Sequence, residues 1–202
     1  IELAAVPETY FTAYGSLTEC LLLQKGDVLL VRGATSTVGL AAIQMAKALG
    51  ATVIASSRRD TAFEKLKAVG ADYCVVDDGN LAAQLNDANR PNKVLELIGP
   101  ATLQDSLRCV SRPGYVCNTG ILGNQFTVPN FDPIKYIPNG VFLAGFFSNF
   151  PTQEAVDDIL RLLEASSQRP LYSKVFSLEE IAQAHTLLEK GASGGKIILS
   201  IR

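Results

Sequence analysis

Residues 28–60 constrain the fold of this chain more than any other stretch. Val28 to Val31 is a short apolar run, and small residues follow from Gly33 to Gly39. An apolar helical pattern runs from Val38 to Leu49 and is stopped by Gly50; a second apolar run spans Thr52 to Ala55. Two such runs separated by a helix cannot form a hairpin and must form a parallel pair with a crossover. The segment is therefore one βαβ unit, and its crossover is right-handed.

Small residues in the first turn let the backbone approach a ligand closely. The free N–H groups at the start of the following helix then face an anion, aided by the helix dipole. This is the frame of a dinucleotide-binding turn. The glycine pattern is incomplete: the positions of Gly-x-Gly-x-x-Gly hold Ala34, Ser36 and Gly39. Taken alone the turn is a weak motif, and any tight βα turn in a parallel sheet resembles it.

The rest of the chain repeats the alternation. Pro7 to Leu17 reads as a helix with proline at its start. After the second strand, Thr61 and Glu64 fit a capping box for a helix with Phe63, Leu66 and Val69 on one face. Strands are expected at Tyr73–Val76, Val94–Ile98, Tyr115–Asn118 and Val141–Phe147. Between them a short helix is expected over 79–89, a turn at 89–92 and a helix opened by Gly99-Pro100. Thr152 caps a further helix with Val156, Ile159, Leu160 and Leu163 as its apolar stripe. Six short strands alternating with helices predict an α/β fold: a Rossmann-type, doubly wound, six-stranded parallel sheet of order 3-2-1-4-5-6. Residues 1–168 are assigned to this unit. Residues 169–202, beginning at the Arg169-Pro170 break, are assigned to a segment of an incomplete second domain: a strand at 171–176, a helix capped by Ser177 and Glu180 with Ile181, Ala184, Leu187 and Leu188 inward, a loop at 191–195 and a last strand.

Composition excludes several classes. The 202 residues are 48% hydrophobic and 19% charged, a balance that builds a core rather than a disordered chain. A net charge of −2 without a basic run argues against nucleic acid. No apolar run is long and uncharged enough for a transmembrane helix, so no membrane is expected and a cytoplasmic protein is. Cys20, Cys74, Cys109 and Cys117 are too scattered for a zinc site and read as buried free thiols. The lone His185 reads as a helix-surface or packing residue. The chain starts at Ile1 and its sole methionine is Met45, so a piece of a longer protein is expected.

The end of the second strand speaks to the nucleotide. An acidic residue there would bind ribose hydroxyls and favour NAD. This chain has Ser57, Arg58 and Arg59 instead. Guanidinium binds phosphate through forked, charge-assisted hydrogen bonds, so the expectation is NADPH. The ends of the later strands nominate Leu97–Gly99, Asn118–Leu122 and Leu143–Phe147, because ligands of such sheets lie at the carboxyl ends. No acid–base group is assigned: Asp77-Asp78 suits the adenosine end, and Tyr10, Tyr14 and Tyr136 are candidate proton donors that read more simply as core or surface aromatics. The catalytic residues are left unknown.

Three runs, Ala4 to Leu17, Gly33 to Ala42 and Lys67 to Asp72, together with Ala184-His185 and Gly195 to Leu199, resemble the medium-chain dehydrogenase/reductase superfamily. Within it the chain is most similar to the zinc-independent quinone oxidoreductases and related enoyl reductases. The resemblance implies an enzyme that passes hydride from NADPH to a quinone or an α,β-unsaturated carbonyl, a small-molecule substrate. It implies that the family's N-terminal GroES-like domain is largely missing, and that this piece alone binds NADPH weakly and turns over little. It implies cofactor contacts at Ala34, Thr35, Ser36, Thr37, Val38, Ser57, Arg58, Thr119, Gly120, Ile121, Leu143 and Gly145. It also implies a homodimer through Val141–Phe147. Glu8 stands where zinc-dependent relatives place a cysteine ligand, so no metal is expected. Ser36 and Thr37 replace the usual Gly-Gly, and their hydroxyls either crowd the pyrophosphate or hydrogen-bond it. Two alternatives stay open: an enoyl reductase domain of a fatty acid or polyketide synthase, and a non-catalytic nucleotide-binding regulator or structural protein.

Overall fold

The computed structural model describes residues 1–86, 90–149, 151–191 and 193–201. The end of the helix expected over 79–89, the first residue of the turn at 89–92 and Ala192 of the loop at 191–195 lie outside these. The leading helix α1, Thr9–Gly15, continues through a wider turn, Ser16–Cys20. Then come β1 (Val28–Arg32), α2 (Thr37–Ala48), β2 (Thr52–Ser57), α3 (Phe63–Val69), β3 (Tyr73–Val76) and α4 (Leu81–Gln84). They are followed by β4 (Lys93–Glu96), α5 (Leu103–Cys109), β5 (Gly114–Asn118), α6 (Pro133–Tyr136), β6 (Val141–Gly145) and α7 (Gln153–Ala165). The chain closes with β7 (Lys174–Ser177), α8 (Ile181–Glu189) and β8 (Ile197–Ser200).

The central sheet has six parallel strands in the order β3-β2-β1-β4-β5-β6, as the alternation predicts. Strand residues alternate between two cores because successive side chains leave opposite faces. Leu29, Val31, Val53, Leu95 and Cys117 meet α1, α2 and α7 on one face. Leu30, Ile54, Val94 and Val116 meet α4 and α5 on the other. Both faces are covered, which is why the strands read as continuous apolar runs rather than alternating ones.

The helix starts differ from expectation in instructive ways. The capping box of Thr61 and Glu64 does not form: a single 3-10 turn, Asp60–Ala62, precedes α3, with no side-chain cap. The turn starts at Asp60 with the extended Arg59 at its N-cap position, so Thr61 already lies inside it and cannot cap. The helix expected from Gly99 begins only at Leu103, because the buried Glu96 carboxylate takes the N–H of Ile98 (2.7 Å) and Gly99 (3.0 Å) and holds a turn there. Thr152 does cap α7, accepting from the Ala155 N–H, and Ser177 and Glu180 form their reciprocal box.

The last segment forms its own two-stranded parallel sheet, β7 beside β8. Its helix α8 does not bury the stripe expected of it. Ala184 is buried, whereas Ile181 is 41% and Leu188 50% exposed. The segment is tied to α1 by polar contacts: the Tyr10 hydroxyl accepts the Leu171 N–H (2.8 Å), and Lys196 reaches the Thr9 hydroxyl (3.3 Å).

Candidate functional site

The nominated residues gather along the carboxyl ends of the strands, where a doubly wound sheet leaves a crevice. The turn after β1 is built for close approach. A Cβ at Gly39 would lie 2.7 Å from the Ala34 Cα and from the Gly33 carbonyl oxygen, so only glycine lets α2 sit this close to the strand end. Ala34 is fully buried and donates its N–H to the Ser56 carbonyl (3.2 Å). Ser36 is the N-cap of α2: its hydroxyl donates to the Gly33 carbonyl (2.8 Å) and accepts from the Gly39 N–H (3.1 Å). The Ser36 hydroxyl therefore faces the helix rather than the crevice. Thr37 is half-buried, and among the described residues its hydroxyl has no partner. The N–H groups of Thr35, Thr37 and Val38 likewise lack an acceptor among the described residues. Three amides and one hydroxyl at a helix start form a cradle for a phosphate. The residues fit the pyrophosphate of a nicotinamide dinucleotide.

The loops after β4 and β5 close against this turn. Gly33 lies against Leu97, Ile98 and Leu122. A Cβ on Gly120 would come within 2.2 Å of the Leu97 carbonyl oxygen, so the two loops touch backbone to backbone. Thr119 is engaged through its side chain. Ser16 gives its proton to the Thr12 carbonyl (2.7 Å), so Thr119 must donate to Ser16 (2.9 Å) and accept the Cys117 thiol proton (3.3 Å). The N–H groups of Thr119 and Gly120 both go to the Glu96 carbonyl (2.9 and 3.2 Å). The Ile121 N–H is left without an acceptor among the described residues and faces no competitor for a ligand. At β6, Leu143 is half-buried, and exposed Gly145 takes the Cys20 thiol proton on its carbonyl (3.7 Å).

At the other end of the crevice Ser57 is half-buried and Arg58 and Arg59 are exposed. Among the described residues neither guanidinium has a partner. Asp77, a carboxylate just beyond the end of β3 and next to the end of β2, is held elsewhere. Arg32, fully buried, grips it with two parallel bonds (Nε to Oδ2 and Nη2 to Oδ1, both 2.8 Å). The same guanidinium reaches Asp105 (2.7 Å) and the Ser106 hydroxyl (3.1 Å). Burial alone would lower the Arg32 pKa, but Asp77, Glu96 and Asp105 outweigh it and hold it above the usual value. Glu96, its neighbour across the β1–β4 pair, is completely buried, and burial pushes its carboxyl up although Ser106, Gly99, Arg32 and Thr102 pull against that.

This buried cluster escaped the sequence reading. A signal was present: Arg32 and Glu96 are opposite charges ending two otherwise apolar strands. The tyrosines behave as packing residues. Tyr10 is buried against Gln44, and burial pushes its hydroxyl up to about 12. Tyr14 bonds Asp158 (3.0 Å) on α7, and Tyr136 packs edge-on to Phe131. Cys109 and Cys117 are buried free thiols, pushed up to about 12 by that burial, whereas Cys20 and Cys74 are only partly covered. Among the described residues no three His, Cys, Asp or Glu side chains come together to hold a metal ion. No described helix is long and apolar enough to cross a membrane.

Residues 37–165, from the first turn of α2 to the end of α7, match the family of zinc-binding dehydrogenases. The chain belongs to the medium-chain dehydrogenase/reductase superfamily. Among its relatives in this superfamily is a quinone oxidoreductase-like protein 2 homolog of Nematostella vectensis, 26% identical over 215 residues, covering 98% of this chain and 57% of that protein. Another is an acryloyl-coenzyme A reductase of Sulfurisphaera tokodaii, 27% identical over 179 residues, covering 88% of this chain and 52% of that protein. A solved NAD-dependent alcohol dehydrogenase superimposes with a TM-score of 0.83 at 28% identity, covering 98% of this chain and 58% of that one. The chain thus spans little more than half the length of these medium-chain relatives. Its relatives are oxidoreductases, and its six-stranded sheet is their nucleotide-binding fold.

Proposed function

We propose that this chain is the NADPH-binding part of an oxidoreductase that transfers hydride to a quinone or an α,β-unsaturated carbonyl. The observation that carries the cofactor preference is the charge at the end of β2: two exposed, unpaired guanidiniums, with the neighbouring Asp77 neutralised by Arg32. A 2′-phosphate meets attraction from these guanidiniums, and the Asp77 charge is already paired. The amides of Thr35, Thr37 and Val38 hold the pyrophosphate, Ser57 and Arg58 the 2′-phosphate, and the backbone of Thr119–Ile121 and Leu143–Gly145 the nicotinamide half. When bound, the cofactor supplies the hydride; the chain orients it and shields it from water. Beside Gly145 an open cleft of about 490 Å³ has Phe11, Phe146 and Phe147 on its walls together with the polar side chains of Glu19, Asn149 and Thr152, room for a small substrate with both apolar and polar parts. The substrate class is taken from the names of the relatives, a quinone oxidoreductase-like protein and an acryloyl-coenzyme A reductase.

Titration of the protein with NADPH and NADH, followed by cofactor fluorescence, tests the reading. NADPH is expected to bind more tightly, and Arg58→Asp to weaken it by about tenfold or more, the worth of one charge-assisted pair. Preference for NADH, or an Arg58→Asp variant that binds NADPH as before, removes the 2′-phosphate assignment. The same reading places a homodimer contact at the strand edge of Val141–Phe147, where Phe142 and Phe147 are exposed.

A further inference from the structure

Glu8 has a backbone that its residue type disfavours. It sits at φ 64°, ψ −60°, and the Thr9 N–H reaches back across it to the Pro7 carbonyl (2.8 Å). This is a γ-turn of positive φ, a rare and strained form. A side chain longer than glycine's is tolerated there only when something over-determines it, and such outliers cluster at ligand clamps. The side chain is exposed yet fixed. One carboxylate oxygen, Oε1, accepts from the Thr12 hydroxyl on α1 (3.2 Å) and from the Ser148 hydroxyl beyond β6 (2.8 Å). The other, Oε2, has no partner among the described residues.

The place matters as much as the geometry. Ser148 lies three residues beyond Gly145, and Thr12 is one helical turn from Ser16, which bonds Thr119. Glu8 therefore stands over the carboxyl ends of β5 and β6. With the pyrophosphate at α2 and the adenosine end at β2, this is the half of the crevice that a nicotinamide ring occupies. A free carboxylate oxygen accepts and cannot donate. The donor that a nicotinamide ring offers is its carboxamide NH2.

Resting on the nucleotide reading above, we propose that Glu8 is a positioning residue: its free carboxylate oxygen accepts a hydrogen bond from the nicotinamide carboxamide and fixes which face of the ring meets the substrate. The strain of the γ-turn is retained because it raises this carboxylate over the ring. No proton or electron changes hands in the contact.

The test compares NADPH with its 3-acetylpyridine analogue, which lacks the amide NH2, on the wild-type protein, Glu8→Gly and Glu8→Gln. Glycine accepts the positive φ without strain, so Glu8→Gly is expected to melt no lower than wild type. Its affinity for NADPH is expected to fall roughly ten- to a hundredfold, the worth of a hydrogen bond to a charged group. The analogue is expected to bind all three proteins alike. Glu8→Gln, which keeps an acceptor oxygen, is expected to lose less than Glu8→Gly. Unchanged NADPH affinity in Glu8→Gly overturns the proposal, and so does an equal loss for NADPH and analogue, which would mark a purely structural role. A wild-type protein that binds neither nucleotide overturns the nucleotide reading itself, an outcome distinct from both.

Discussion

A single buried side chain, Arg32, organises the charges around the crevice. It is gripped by the partly buried Asp77 and Asp105 and lies beside Glu96, which is fully shielded from water as Arg32 is. Removing one partner of such a cluster leaves uncompensated buried charge, which costs about 3–5 kcal/mol. Arg32→Met is expected to lower the urea-unfolding free energy by that amount, and a loss under about 1 kcal/mol would show that water reaches the carboxylates. Glu96 adds a pH dependence. Its folded pKa is raised above the ordinary 4.5, so the folded state holds its proton longer than the unfolded chain does. That contribution is complete below about 4.5 and is lost as pH climbs through the raised value. Urea midpoints measured upward from pH 4.5 should show this decline in the wild type, and Glu96→Gln should flatten it. Local pattern marks Arg32 and Glu96 as charges at strand ends, but not the partners they meet. Arg32 and Asp77 are 45 residues apart in the chain, and only the sheet order brings the end of β1 to the end of β3 across β2.

Elements were far more legible than residues, and for a physical reason: strands buried on both faces and helices with an apolar stripe carry their period in the sequence. All six sheet strands and the α2 crossover stand where the apolar runs place them. Starts and stops were less legible, because they depend on partners elsewhere. The Glu96 carboxylate delays α5, and the 3-10 turn from Asp60 puts Thr61 past the cap position of α3. The turn before α2 shows both sides. The hydroxyl of its substituted glycine, Ser36, could by sequence either crowd a phosphate or bond it, and in the structure it caps the helix. Ser36→Ala should cost about 1 kcal/mol of stability, read by thermal melting, with little change in nucleotide affinity because the hydroxyl faces inward. Gly39→Ala should cost more, about 1–3 kcal/mol for overpacking against Ala34, and should weaken NADPH as well. Equal affinity in Gly39→Ala and wild type would mean that the turn is not the pyrophosphate cradle.

At the scale of the whole molecule the two cores of the central sheet are well covered, and the apolar surface that remains lies elsewhere. Phe147 (82% exposed) flanks the edge strand β6, and Ile181 and Leu188 lie open on α8. An open edge flanked by aromatics invites pairing with a second copy. Light scattering across a concentration series is expected to show dimers, and Phe147→Asp to shift them to monomers with an unchanged melting point. A wild type that stays monomeric throughout removes the β6 contact. The α8 stripe was expected inward because its period is helical, but period reports amphipathicity and not what stands opposite.

The grip of Arg32 on Asp77 has one more consequence. Nucleotide choice in this fold is ordinarily sought in the side chains that meet the ribose. On the proposed reading, the acidic group next to the ribose is held silent by a fully buried residue of the first strand. A cofactor-switching library confined to residues 57–60 would leave that lever untouched. Arg32→Leu would release the Asp77 charge toward the ribose and tilt the NADPH-to-NADH binding ratio downward without a single change in the surface the nucleotide touches.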